Sequence, residues 1–297
     1  MSQLEPSAGP RRNLRGAWWV MVVVLAFFVL VAIVQVGRVV NHLDRPVVGD
    51  GKDPATYGFD LSTLTIDDRW LAAAMPRDAL PALDRPRLLN ATQVDSLNGA
   101  ERGKYLVSED LVIGVVVGAE ARAYPLRMMH WHEVANDTVG GLPLAVCWHP
   151  LSGAAVVLEG SEQWSVSGLM WNSHHLIHDF AGSLWVPLLA EAVAGPAAGQ
   201  TLPVIPSALV TWGEWRTAHP LTRVPYPEPE QRAAYKRDPF GNYASGETIR
   251  YPVKPLPTLT EGTHLKDSLT VDSTEQGGLP FARLHAYRFA LQALGLI

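Results

Sequence analysis

Cysteine is almost absent from this chain. Its 297 residues include one, Cys147, which excludes an intramolecular disulfide and any fold stapled by a cysteine framework. A basic excess is also missing: 24 Lys and Arg stand against 29 Asp and Glu, for a net charge of −5. Nucleic acid is therefore not an expected partner, because that affinity comes mostly from neutralised phosphates. Charged residues reach only 18% while hydrophobic ones reach 47%, which excludes a disordered chain. The sequence shows no convincing internal repeat and no low-complexity tract. It lacks the zinc-protease HExxH spacing, since His132-Glu133 is followed by Asn136 where the second histidine would stand. It also lacks the GxSxG nucleophile elbow, and no nucleotide cofactor is indicated.

Turn formers are plentiful, with 23 prolines and 25 glycines, so a mostly helical bundle is not expected. One long apolar run stands out at residues 17–36, AWWVMVVVLAFFVLVAIVQV, with Gln35 as its only polar residue. A helix of about 20 residues spans roughly 30 Å, the thickness of a bilayer's hydrocarbon core. Trp18 and Trp19 suit the headgroup region at its start. The run exceeds the usual signal-peptide core and is followed by Gln35, Val36 and Arg38 rather than a small-residue cleavage site, which favours an uncleaved signal anchor. Arg11, Arg12 and Arg15 precede it, which predicts a cytoplasmic N-terminus and a main domain in the periplasm or an equivalent space. The expected organisation is a basic tail over 1–16, the transmembrane anchor over 17–36, a stalk over 37–60 and a single extracytoplasmic domain over 61–297.

Within that domain, Asp67 to Met75 predicts a short helix capped by Asp67 or Asp68. Strand-like runs then recur every 8–12 residues. Leu111–Val117 and Ala121–Leu126 flank a Gly-Ala-Glu turn; Thr138-Val139 and Leu142–Cys147 flank Gly140-Gly141; Gly153–Leu158 and Trp164–Trp171 follow; Leu176–Phe180 and Ser183–Val186 flank Ala181-Gly182. Leu209 to Ala218 predicts a helix with Trp212 and Trp215 as packing residues, residues 224–258 an irregular proline-rich cover, and Leu279 to Ile297 a helical pattern. The expected fold is mainly β with a few short helices (α+β), as a twisted or barrel-like antiparallel sheet.

The densest chemistry lies between Tyr124 and Trp185. Six of the ten histidines fall there (His130, His132, His149, His174, His175 and His178), with Cys147. His130 and His132 share a face on a strand. His174 and His178 share one on a strand or a helix, whereas His175 joins them only on a helix. His149 ends a strand before a proline turn. Imidazole suits copper, zinc, iron and nickel; Cys147, Met128, Met129 and Met170 add soft donors and tilt the choice toward copper. The expected ligand set is His130, His132, His149, His174, His178 and Cys147, with zinc or iron as other candidates and Glu133 as a base in the zinc case. Each histidine also has a plain structural reading, its imidazole bonded to a backbone carbonyl. Asn136-Asp137 reads as turn chemistry.

The blocks RAYPLRMMHWHEVANDTVGGLPLAV, SGLMWNS, GSLW, TWGEWRTAHPLT and RDPFGNY, with the segment around His149-Pro150-Leu151, resemble the family called domain of unknown function 3179 over about residues 110–253. The resemblance brings no reaction with it. It implies that His149 stands where many members carry cysteine, and Ser152 where a second cysteine sometimes appears. A ligand at 149 would then be kept with a different donor, whereas thiolate chemistry at that position would be lost.

Three functional classes follow. The first is a membrane-anchored protein that binds a transition metal, copper favoured, for storage, delivery or redox chemistry with a membrane or periplasmic partner protein. The second is a non-catalytic anchored binding or assembly module. The third is a hydrolase using Cys147 or a hydroxyl with a nearby histidine, or zinc.

Overall fold

The computed structural model describes Trp18 and residues 22–29, 47–100, 104–160, 163–271 and 284–297. The chain divides into two compact units, Met1–Val47 and Val48–Ile297. In the first, Trp18 and residues 22–29 are helical with exposed side chains. Most of the expected anchor at 17–36 lies outside the described residues. Among those described, no helix is long and apolar enough to cross a membrane.

The second unit is a stack of three open sheets. The middle sheet holds β15 (Ser268–Val271), β16 (Leu284–Tyr287), β8 (Ala154–Glu159), β7 (Leu142–His149), β6 (Val134–Val139) and β2 (Leu83–Asp84), in that order. On one side lies β1 (Leu71–Ala73), β9 (Ser165–Trp171), β10 (His174–His178), β11 (Leu184–Val186) and β12 (Glu191–Ala194). On the other lies β13 (Ser207–Thr211), β4 (Leu111–Val117), β5 (Glu120–Pro125), β14 (Arg223–Pro225) and β3 (Leu88–Asn90). Pairing is antiparallel except for β2 with β6 and β14 with β5.

The pattern of β7 explains the stacking. Ala145 and Cys147 enter one core with Val166, Leu169, Leu176 and Trp185 of the first flanking sheet. Leu144, Val146 and Trp148 enter another with Ile113, Val115 and Tyr124 of the second. A strand buried on both faces needs apolar residues at successive positions, and LPLAVCW supplies them. A third core covers the outer face of the second flanking sheet, where Val112 and Ala123 meet Trp212 and Trp215 of the helix Trp212–Ala218.

Several expectations shift for identifiable reasons. The sheets are open, each ending in edge strands, and not a closed barrel; three stacked layers bury both faces of the middle sheet without closure. The residues assigned to a stalk enter the fold before residue 60: Tyr57 is fully buried, Phe59 joins the main core, and the Tyr57 hydroxyl donates to the Met75 carbonyl at 2.7 Å. Asp67 does cap a helical turn, but only over Asp68–Trp70, and Leu71–Ala73 then pairs as an edge strand with β9. Residues Leu209 to Thr211 are strand, not helix; the helix starts at Trp212 behind a capping box of Thr211 and Glu214. At the C-terminus, β16 precedes a helix of only Arg288–Ala293. The Gly140-Gly141 turn, with both residues at positive φ, closes the β6–β7 hairpin as expected.

Candidate functional site

The helix Leu126–Met129 ends abruptly, and the way it ends builds the site. Glu133 closes the last turn by donating its N–H to the Met129 carbonyl at 2.8 Å. It does so at φ 57°, a left-handed conformation costly for a residue with a Cβ, by about 1–2 kcal/mol. Its carbonyl accepts from Trp148 N at 2.8 Å, which fixes the start of β6 against the end of β7. The side chain is driven inward: Glu133 is 3% exposed. Its carboxylate accepts a hydrogen bond from His175 Nδ1 at 3.0 Å.

His175 comes from the flanking sheet. Its hairpin turns through Asn172 and Ser173, both at positive φ, the geometry of a two-residue primed turn. The register of β10 against β9 then shifts between His175 and Ile177, a bulge carried by β9, where Ser167, Gly168 (φ 79°) and Leu169 stand opposite Leu176 alone. His175 stacks on His149 across the interface, with ring centroids 4.6 Å apart and planes 20° apart. His149 Nδ1 pairs with Ser152 Oγ at 2.7 Å. With the hydroxyl proton turned to the His149 carbonyl, 3.5 Å away, Nδ1 donates and Nε2 keeps its lone pair. His174, next in the chain, is buried with neither ring nitrogen hydrogen-bonded; the Ala290 backbone, in the C-terminal helix, is a polar neighbour that slightly favours its charged form. Cys147 lies close enough to Glu133 to feel its charge.

The electrostatics follow from burial. Desolvation first, then the neighbouring His175, pushes His174 down to about 3. Desolvation, with His175 and His174, holds His149 well below the ordinary imidazole range. Both rings are therefore neutral at pH 7 and carry lone pairs. Desolvation, with Glu133, pushes the Cys147 thiol up to about 12. At neutral pH it is a thiol, which weakens its case as a nucleophile.

The six donors expected to converge do not form one set. His149, His174 and Cys147 belong to this buried region. His132 is committed elsewhere: Nδ1 donates to the Pro81 carbonyl at 2.7 Å, and Nε2 pairs with the Tyr235 hydroxyl at 2.6 Å. His178 is likewise saturated, with Nε2 donating to Asp78 at 2.8 Å and Nδ1 3.1 Å from the Asp179 carbonyl and 3.3 Å from Arg77. His130 packs between Trp148 and Phe240 beside a cleft of about 310 Å³, its Nδ1 3.7 Å from Asp238. Conversely, His175, set aside by strand alternation, sits in the cluster, against Glu133 and His149. Glu133, read as a base in the zinc case, is its carboxylate.

The donor chemistry fits a transition metal. Histidines oriented by a carboxylate or hydroxyl through one nitrogen, with the other left open, are the usual environment of metal-ligating imidazoles. The positions of the side chains are a separate matter. Among the described residues, no group of three or more His, Cys, Asp or Glu is arranged to hold an ion. The reason is visible in the stack: lone pairs lie in the ring planes, and two near-parallel rings do not aim them at a common point.

The chain matches the family described as Protein of unknown function (DUF3179) over residues 77–278, and it belongs to that family. No curated protein and no solved structure matches it.

Proposed function

We propose that this member of the DUF3179 family binds a transition metal ion, copper in preference to zinc or iron, through His149, His174 and His175 with Cys147 at the border of the site. The observation that supports this is the state of the imidazoles: His175 and His149 each have one nitrogen engaged, by Glu133 and by Ser152, and His174 is buried with both nitrogens unpartnered. Burying polar groups without partners costs stability, by about 1–3 kcal/mol per group, and a ligand that uses them would offset that cost. Copper is preferred because the donors are imidazole nitrogens and a thiol in a buried, largely apolar setting. Loading requires the His149–His175 stack to open, so that the two rings can turn toward one ion. When bound, copper would supply either a store of exchangeable ion or one-electron redox chemistry; the chain's own residues hold it and exclude water. In this reading residues 17–36 anchor the protein in a membrane, and the domain works outside the cytoplasm, delivering to or accepting from a partner protein there.

The test is elemental analysis of the purified full-length chain after growth with added copper or zinc. Close to one copper per chain, lost in His149→Ala, supports the proposal. Substoichiometric metal under both conditions contradicts it and favours the non-catalytic anchored module.

A further inference from the structure

A second site lies in the proline-rich cover, away from the histidines. Trp70, Ile249 and residues 251–256 line an open groove of about 660 Å³, within the range of small-molecule sites. Its walls are almost wholly apolar. Val253 is buried in the main core and forms part of the floor, and Ile249 packs on the same core. Tyr251 and Trp70 add aromatic surface, and Leu256 at the rim is 80% exposed. A leucine left that far in water beside an apolar groove is surface that an apolar ligand would cover.

One charged side chain lines this groove, Lys254. Its ammonium lies over the indole of Trp70, 5.6 Å from the ring centroid, and forms no ion pair among the described residues. Its backbone is held rigidly from below. Asn172, 2% exposed, accepts from Lys254 N at 2.6 Å and donates to the Lys254 carbonyl at 2.8 Å. Asn172 also donates to the Ala293 carbonyl at 3.2 Å, and its own N–H donates to the Trp70 carbonyl at 3.1 Å. Both sides of the groove are thus tied to one buried residue, so the backbones that carry the cation and the indole keep a fixed relation.

We propose that this groove binds a free fatty acid, with the carboxylate on Lys254 and the alkyl tail along Trp70, Tyr251 and Leu256. The choice rests on complementarity. An apolar trough with a single cation and no acidic lining residue matches a ligand with one negative end and an apolar body. A neutral alkyl chain leaves the ammonium unpaired, and an alkyl cation meets repulsion. The proposal is independent of the metal site.

The test is calorimetric titration of the full-length chain, held in amphipol without free detergent, with octanoate, octanol and octylammonium. Octanoate is expected to bind with a dissociation constant on the order of 0.1–1 mM. Octanol should bind about 5–10-fold more weakly, and octylammonium not measurably, since the cation loses the ion pair and gains repulsion. Lys254→Met should lower octanoate affinity about tenfold and bring it level with octanol; Trp70→Ala should weaken both, with thermal melting confirming that each variant folds. No octanoate binding at 10 mM, about tenfold above the weakest expected constant, would overturn the proposal. So would equal affinity for octanoate and octylammonium, a comparison that needs no variant, or octanoate affinity unchanged in Lys254→Met.

Discussion

Two groups of buried histidines occupy the same domain and differ in one respect. At His132 and His178 every ring nitrogen has a partner, including Tyr235, Pro81, Asp78 and Arg77. In the cluster of His149, His174 and His175, nitrogens remain unengaged, and the one carboxylate present, Glu133, is held in a strained backbone conformation. A folding chain under no other demand would either satisfy such groups or replace them with apolar ones. Saturation therefore separates histidines that hold the fold from those available for chemistry better than their spacing in the sequence does.

Four measurements sharpen or break this comparison. His132→Ala should show the largest loss of stability, about 2–4 kcal/mol in urea unfolding, since it leaves the Pro81 carbonyl and the Tyr235 hydroxyl short of a partner and opens a cavity. A change below about 1 kcal/mol would mean that these bonds do not hold the fold.

The metal-free chain should be acid-sensitive. His174 is depressed to about 3 in the folded state, by burial and then by His175, against about 6.5 when unfolded. The unfolded chain thus binds the extra proton first. Stability from this ring is fully present above about pH 6.5 and is lost progressively as pH falls toward 3, by about 2 kcal/mol between pH 7 and pH 5. His149, also held low, adds in the same direction. Urea unfolding across that range checks it, and a flat profile would contradict neutral buried rings.

Glu133→Gln keeps the shape of the side chain but removes the charge that orients His175. Copper affinity should fall about 10–100-fold, read by competition with a chromogenic chelator. Affinity unchanged from the parent would remove Glu133 from the site.

His174→Leu should have the smallest effect on the metal-free fold, within about 1 kcal/mol and on the stabilising side, because no hydrogen bond is lost and a buried polar ring becomes apolar. A loss of several kcal/mol would show that His174 is a structural histidine after all.

Much of the fold was legible. The Gly140-Gly141 turn, the apolar runs at Leu111–Val117 and Leu142–Cys147, and the cap at Asp67 all carry their local structure in their own residues. The stacking of three open sheets was not, because an apolar run buried on both faces reads the same in a barrel wall and in a middle layer. Tyr57 and Phe59 escaped notice because two aromatics at the end of VGDGKDPATYGF give no period, and only the tertiary fold buries them. For the candidate site, the dense histidines and the positions 149 and 152, where the resemblance implies a departure from the family's pattern, marked a segment whose members the structure brings together: His149 contacts both Ser152 and His175. The structure engages His178 with Asp78 and Arg77, partners about a hundred positions away that histidine spacing does not show. Glu133 was named only as a base in the zinc case; its pairing with His175 was not legible, because the left-handed backbone, normally the place of glycine or asparagine, is not written in its identity.

The most direct test of the central claim compares copper content in two variants of the full-length chain. One carries His174→Leu and His175→Leu together; the other carries His178→Asn. If the unengaged imidazoles hold the ion, the first should retain less than about a tenth of the parent's copper per chain and the second essentially all of it. Equal retention in the two, or loss in His178→Asn alone, would contradict the assignment of the site to His149, His174 and His175.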